Sequence, residues 1–282
     1  MNAALQAEPA LVQGEFEYTA ADFRNLAGLL YGMAGIELAD IKAPLVYSRL
    51  AKRLRALGLS RFRDYYALLR DPKSEEERSA FLSALTTNVT RFFREPHHFD
   101  ALRRQIEGRL APAARAGARV RLWSAGCSLG HEPYSMAMVL LEALPEAAEL
   151  DVRILATDID PQVVRQAGAG RYRSEDLSPL APAMRERWTR TVGDEREISA
   201  EVKALVRFGV LNLHAPWPMS GPFDVIFCRN VAIYFDAPTQ ARLWERMAAI
   251  LTPEGRLYIG HSERAETPML RTEGLTIYRR AG

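Results

Sequence analysis

From Tyr18 to Leu85 apolar residues recur at helical spacing and no stretch alternates as a strand does. Phe23, Leu26, Leu29 and Leu30 mark a first helix, with Thr19 or Asp22 placed to cap it and Gly32 and Gly35 to interrupt it. A second helix begins near Lys42 or Pro44, carries Leu50, Leu54 and Leu57 as its apolar stripe, and stops at Gly58. Phe62, Tyr65, Tyr66, Leu68 and Leu69 form a short third helix that Asp71-Pro72 breaks. Ser74 with Glu77 predicts a capping box for a fourth, running to Leu85. Residues 16–85 therefore read as a small all-helical domain.

From Val120 the texture changes. Short apolar runs at Val120 to Ser124, Val152 to Thr157, Phe223 to Cys228 and Arg256 to Gly260 alternate with helical stretches at Pro133 to Leu144, Pro161 to Ala167 and Pro238 to Leu251. Strand–helix alternation predicts a mostly parallel, doubly wound α/β sheet with right-handed crossovers. Met269 to Arg279 reads as a terminal antiparallel hairpin turning at Glu273-Gly274. Residues 187–213 break the alternation. Trp188 to Val192 and Ala204 to Val210 look like strands around a Gly193-Asp194 turn, predicting a small antiparallel β-subdomain. The domains are then 16–85, a linker at 86–118 with an alanine-rich tract, and an α/β domain at 119–282.

Bulk composition changes this picture little. A chain of 282 residues, 48% hydrophobic and 26% charged, fits one large or two smaller domains with a packed core. A formal charge of +2 does not argue for nucleic acid. Charge is uneven, however: seven basic residues and no acidic one lie between Lys42 and Arg63. Cys127 and Cys228 have neither disulfide-framework nor zinc spacing, which suits the cytoplasm and predicts no metal. No apolar run approaches the roughly 20 residues of a membrane span. Met1 to Glu17 lacks the pattern of a secretion signal and reads as a loose tail.

The candidate chemistry sits where strands end. Arg121-Leu-Trp-Ser-Ala-Gly-Cys-Ser-Leu-Gly-His-Glu-Pro-Tyr-Ser135 carries an apolar run through two glycines into a helix, and Ala156-Thr-Asp-Ile-Asp160 ends the next run in acid. That pairing builds a nucleoside pocket at the carboxyl edge of an open sheet. Gly126 lets the backbone approach a ligand, and Asp158 can accept from two ribose hydroxyls. Three residues separate Gly126 from Gly130, unlike the dinucleotide fingerprint, and no phosphate-loop lysine follows. A nucleoside without phosphates fits best, and S-adenosylmethionine is the obvious one. Read blandly, the glycines serve a tight turn, Asp158 or Asp160 caps a helix, Glu132 is a first-turn carboxylate, and the basic helix face is solvated surface.

Six motifs in order resemble the CheR family of chemoreceptor glutamate methyltransferases. They are Thr86-Thr-Asn-Val-Thr-Arg-Phe-Phe-Arg-Glu-Pro-His-His-Phe99, the glycine segment, Ala156 to Asp160, Asn212-Leu213, Phe223-Asp-Val-Ile-Phe-Cys-Arg-Asn-Val-Ala-Ile-Tyr-Phe235, and Gly255-Arg-Leu-Tyr-Ile-Gly-His-Ser-Glu263. The resemblance implies a methyltransferase-type α/β domain behind a helical N-terminal domain that recognises the receptor. It implies that Asn88, Thr90 and Arg94 reach the cofactor from the linker. Glu132 and Asp158 would stand at the first two strand ends, and Asn212, Leu213, Arg229 and Asn230 would close the adenine and methionine side. The product would be S-adenosylhomocysteine. The partners implied are acidic cytoplasmic helices of chemoreceptors, for which Arg49, Lys52 and Arg53 offer a complementary face. Membrane contact would come through the receptor alone. Three departures stand out: His131 where relatives commonly carry Glu, Ala232 where a bulkier residue is usual, and a short subdomain turn that predicts no dependence on a receptor tether peptide.

Methyl transfer to a carboxylate requires no general base, because a free glutamate ionises near pH ~4.3. Positioning and desolvation then carry the reaction. Arg94 and Tyr234 are the candidates to hold one carboxylate oxygen while the other attacks. Competing readings are a methyltransferase of this fold acting on RNA or a small molecule, and a non-catalytic cofactor-binding signalling module. A nicotinamide dehydrogenase is disfavoured by the glycine spacing and the terminal hairpin. The consecutive His261, Ser262 and Glu263 lack a nucleophile elbow, which argues against hydrolase chemistry.

Overall fold

A computed structural model describes residues 11–281. The expected loose tail, Met1 to Glu17, lies outside them for residues 1–10, but its remainder is tied down. Phe16 is buried edge-on against Phe62, its N–H donates to the Tyr47 hydroxyl at 3.0 Å, and Glu15 pairs with Arg55. The chain divides into two units between Thr87 and Asn88.

The first unit is helical: α1 (Ala20–Ala34), α2 (Ala43–Leu57), α3 (Phe62–Arg70) and α4 (Glu75–Leu85). Thr19 caps α1 reciprocally with Asp22, and Gly35 ends it at φ +71°. On α2 the buried stripe is Val46, Leu50 and Leu54, at i, i+4 and i+8, while Leu57 lies outside it, exposed. The Ser74 side chain makes no cap bond to α4. Glu77 turns inward instead, accepting from the Tyr65 hydroxyl at 2.7 Å and from Arg53 Nε at 3.0 Å. A charge-assisted pair plus a buried hydroxyl outweighs one terminal amide bond. Burial, then this carboxylate, raises the Tyr65 phenol.

Two of the three basic residues expected to meet substrate also make bonds within the helical unit. Arg53 is bound to Glu77, and Arg49 Nη1 donates to the carbonyls of Leu85 at 3.0 Å and Thr86 at 2.9 Å, closing the C-terminus of α4. Lys52 is exposed.

The second unit opens with α5 (Pro96–Gln105), a π-helical turn (Ile106–Leu110) and α6 (Ala111–Arg115). This is no linker. Phe99, Leu102, Ile106, Leu110 and Ala114 belong to the main core, and Gln105 bonds to the Asp224 carbonyl and to the Tyr258 hydroxyl. Then follow β1 (Val120–Ala125), α7 (His131–Ala143), β2 (Val152–Asp158), α8 (Pro161–Ala169), β3 (Arg171–Arg173), α9 (Pro182–Trp188), β4 (Thr189–Val192), β5 (Glu195–Ile198), α10 (Ala200–Leu205), β6 (Val206–Val210), β7 (Phe223–Cys228), α11 (Ala237–Ala249), β8 (Leu251–Ile259), β9 (Leu270–Gly274) and β10 (Ile277–Arg280). Seven strands form one sheet in the order β6-β2-β1-β7-β8-β10-β9, all running the same way except β10, which is antiparallel to both of its neighbours. The chain runs from β1 to β2 on one side and returns to β7 on the other, so the strand order reverses at β1.

The small antiparallel sheet is β3-β5-β4, spanning 171–198 rather than 187–213. Val206–Val210 pairs parallel with β2 at the edge of the main sheet, after α10 completes a crossover. The true third strand, Glu-Arg-Glu-Ile, has no apolar alternation and is held by ion pairs of Glu197 with Arg190 and Lys203. Among the described residues no helix is long and apolar enough to cross a membrane.

Candidate active site

The turn after β1 is fixed by main-chain bonds. Gly126 and Cys127 both donate to the Thr157 carbonyl at 2.8 Å, and Ser128 N–H donates to Asp158 Oδ2 at 2.8 Å. Gly126 has φ +81°, and a Cβ there would stand 2.3 Å from Val231 Cγ2, so the turn lies hard against the loop after β7. Asp158 also accepts from Asp160 N–H, at 3.0 Å on Oδ1. Each of its oxygens keeps a further acceptor position, which is the chemistry a ribose diol requires. Burial raises the Asp158 carboxyl above its ordinary value against these amide bonds. Asn88 donates to Asp160 Oδ2 at 3.3 Å, and its carbonyl accepts from Ser128 Oγ at 3.1 Å. Thr90 is half-buried in the same segment.

Leu211 N–H donates to the Asp158 carbonyl, which brings Asn212 and Leu213 to the same strand end. The Leu213 carbonyl accepts from Arg246 Nη1 at 2.8 Å, and the Arg246 guanidinium lies 3.8 Å over the Trp217 ring. The Asn212-Leu213 loop is therefore braced from behind.

Beneath the turn lies a buried charge cluster. Glu132 accepts from Ser124 Oγ at 2.7 Å and from Arg229 Nη1 at 3.1 Å. Burial raises its carboxyl, and Arg229 opposes the shift. Arg229, its side chain 2% exposed, also pairs with Glu95 at 3.4 Å and donates to the Arg94 carbonyl. The resemblance places Arg229 at the cofactor; its two Nη atoms here bind Glu132, Glu95 and the Arg94 carbonyl and tie the 88–95 segment to the end of β7. Glu95 is not among the residues expected at the site. Burial works to raise its carboxyl, but bonds from His261 and the Arg229 charge prevail and hold it low.

Glu95, His97 and His98 also bring ligand atoms within 4.8 Å of one another. The positive charge beside Glu95 is already supplied by Arg229. His98 is pushed down to about 3, by burial first and Arg229 second. His131 is buried between Phe92 and Tyr172, with ring centroids 4.6 and 4.8 Å away, and burial pushes it down to about 4.

Arg94 is half-buried, its guanidinium donating to the Val89 carbonyl at 3.3 Å. Tyr234 is half-buried at the end of a 3-10 turn (Ala232–Tyr234) behind β7. Phe93, Glu95, Ser128 and Asn230 all hold positive φ, between 47° and 59°, in the segments around this edge. Such strain in non-glycine residues gathers where function over-determines the backbone. Glu263, which the sequence offers only as the end of a motif and as part of an unconvincing triad, also belongs to this edge. It accepts main-chain bonds from the loop that carries Asn230. Its place just past the end of β8, at the same carboxyl edge, was the available signal.

A parallel sheet reversing at β1, a glycine turn and an acid at the next strand end together define the nucleoside-binding methyltransferase fold. Residues 88–277 match the family described as CheR methyltransferase, SAM binding domain, and residues 21–86 match the CheR methyltransferase all-alpha domain. The chain is 49% identical over 258 residues to a probable chemotaxis protein methyltransferase of Rhizobium etli, covering 89% of this chain and 96% of that one. It is 43% identical over 282 residues to chemotaxis protein methyltransferase 2 of Pseudomonas aeruginosa, covering 96% of each. It is 43% identical over 248 residues to the chemotaxis protein methyltransferase of Escherichia coli, covering 86% and 84%. The chain belongs to the CheR methyltransferase family. It is an S-adenosylmethionine-dependent methyltransferase of chemotaxis.

Proposed function

We propose that the enzyme esterifies glutamate side chains on the cytoplasmic helices of chemoreceptors. One observation carries the choice of a carboxylate nucleophile: the carboxylates at the strand ends are already engaged. Asp158 accepts two main-chain amides, and Glu132 is held by Ser124 and Arg229. Neither is placed to strip a proton from an amine or hydroxyl. A glutamate arrives ionised at neutral pH and needs no such base.

Bound S-adenosylmethionine supplies an electrophilic methyl on a sulfonium. Gly126, Asp158 and Asn212 with Leu213 hold the nucleoside, and Asn88, Thr90, Glu132 and Asn230 border the remainder. Arg94 and Tyr234 hold the non-attacking oxygen of the incoming glutamate. Arg229 acts from behind, fixing Glu132 and the Arg94 backbone. The helical unit recognises the acidic receptor helix, with Lys52 as its outward charge. The two-residue turn between β4 and β5 supports independence from a tether peptide. The enzyme works in the cytoplasm, meets the membrane through the receptor, and has no nucleic-acid partner.

The test incubates the protein with methyl-labelled S-adenosylmethionine and receptor cytoplasmic fragments. Label on the receptor that base releases as methanol is expected. Alkali-stable label, or label on RNA, overturns the assignment.

A further inference from the structure

Glu263 accepts five main-chain hydrogen bonds. Its Oε1 takes the N–H groups of Val231, Ala232 and Ile233 at 3.0, 2.8 and 3.3 Å. Its Oε2 takes those of Asn230 and Gly260 at 2.8 and 2.6 Å. The side chain is buried. A carboxylate is acceptor-only and offers about four lone-pair positions, so five donors fill it. Three of those amides open the 3-10 turn Ala232–Tyr234 and have no partner within it. Without the carboxylate a row of amides would be buried unpaired, and the loop would rearrange to satisfy them.

What that loop carries decides the consequence. Asn230 stands at its start with φ +59°, Tyr234 at its end, and between them Val231 presses its methyl on the Gly126 turn. One side chain past β8 therefore sets the loop after β7, and through Val231 the turn after β1. Those are three of the strand ends that border the nucleoside site. The packing has no slack: a Cβ on Gly260 would stand 2.6 Å from Asn230 Nδ2 and 2.8 Å from Glu263 Oε2.

We propose that Glu263 is a positioning residue for methyl transfer, holding residues 230–233 so that Asn230 meets the cofactor and Tyr234 meets the substrate carboxylate. The inference rests on the roles proposed above for Asn230 and Tyr234.

Glu263→Gln keeps the shape but turns an amide group toward the donors. S-adenosylhomocysteine affinity by calorimetry and steady-state kcat are compared with wild type, well below each variant's melting point. Glu263→Gln is expected to weaken binding and lower kcat by about tenfold or more each, with a cooperative melt retained. Glu263→Asp, charged but one methylene shorter, falls between it and wild type. Should Glu263→Gln not fold, Gly260→Ala wedges the same contact with the charge in place and should show the same paired loss. Variants that melt earlier yet bind and turn over as wild type below that temperature would reduce Glu263 to a stabilising role and overturn the proposal. Failure of wild type to bind S-adenosylhomocysteine would instead strike the proposed roles of the site residues themselves.

Discussion

A histidine kept neutral by burial makes folding sensitive to acid. His131 and His98 are held down to about 4 and about 3, chiefly by burial, against roughly 6.5 in an unfolded chain. Between those values the unfolded state binds more protons than the native one, so stability rises with pH. The contribution is complete above pH ~6.5 and is lost progressively as pH falls toward the native values. His131 can be removed cleanly, because its neighbours Phe92 and Tyr172 are aromatic and its Nδ1 makes no hydrogen bond. His131→Phe should flatten the decline of unfolding free energy between pH ~6 and ~4.5 by up to about 1.4 kcal/mol per unit. Denaturant titrations at several pH values measure this. The carboxylates common to both proteins cancel in the difference, so parallel slopes would show that His131 is not the group titrating.

Among the elements, the β1 turn tolerates least. Alanine at Gly126 faces a left-handed φ of +81° and a Cβ 2.3 Å from Val231 Cγ2. Gly126→Ala should weaken S-adenosylhomocysteine binding by about tenfold or more and lower the melting temperature. Adding Val231→Ala removes the collision but not the dihedral strain, so the pair should recover part of the loss. Wild-type affinity in the single variant would mean the turn does not set the site. This turn was readable because β1 and β2 are apolar runs whose ends coincide with glycine and acid. β5 was not readable, since a strand written Glu-Arg-Glu-Ile declares itself through cross-strand ion pairs. The Ser74 box failed for a related reason: Glu77 had the right spacing, but Arg53 and Tyr65 are remote in sequence and compete for it. Arg229 was legible as a site residue and not as a buried tie, because Glu95 and Glu132 meet it only in the fold.

At the scale of the whole molecule, a net charge of +2 conceals a basic run whose partners come from outside it. Glu15 takes Arg55, Glu77 takes Arg53, and Asp64 takes Arg61. Charge reversal within the run therefore has two different outcomes. Arg53→Glu sets a carboxylate against Glu77 and should cost on the order of 2 kcal/mol of stability, confounding any effect on substrate. Lys52 is exposed, and its reversal should change stability by no more than about 0.5 kcal/mol. If the helical unit meets an acidic receptor helix through this face, Lys52→Glu raises KM for the receptor fragment by about three- to tenfold at low ionic strength. The increase shrinks as salt approaches ~0.5 M, where exposed charges are screened. S-adenosylhomocysteine affinity stays at its wild-type value, because Lys52 and the nucleoside site belong to different units. Methylation kinetics across a salt series, paired with calorimetry, separate these quantities. A KM that ignores both the substitution and the salt would remove the basic face from receptor recognition and leave its arginines as struts of the helical unit alone.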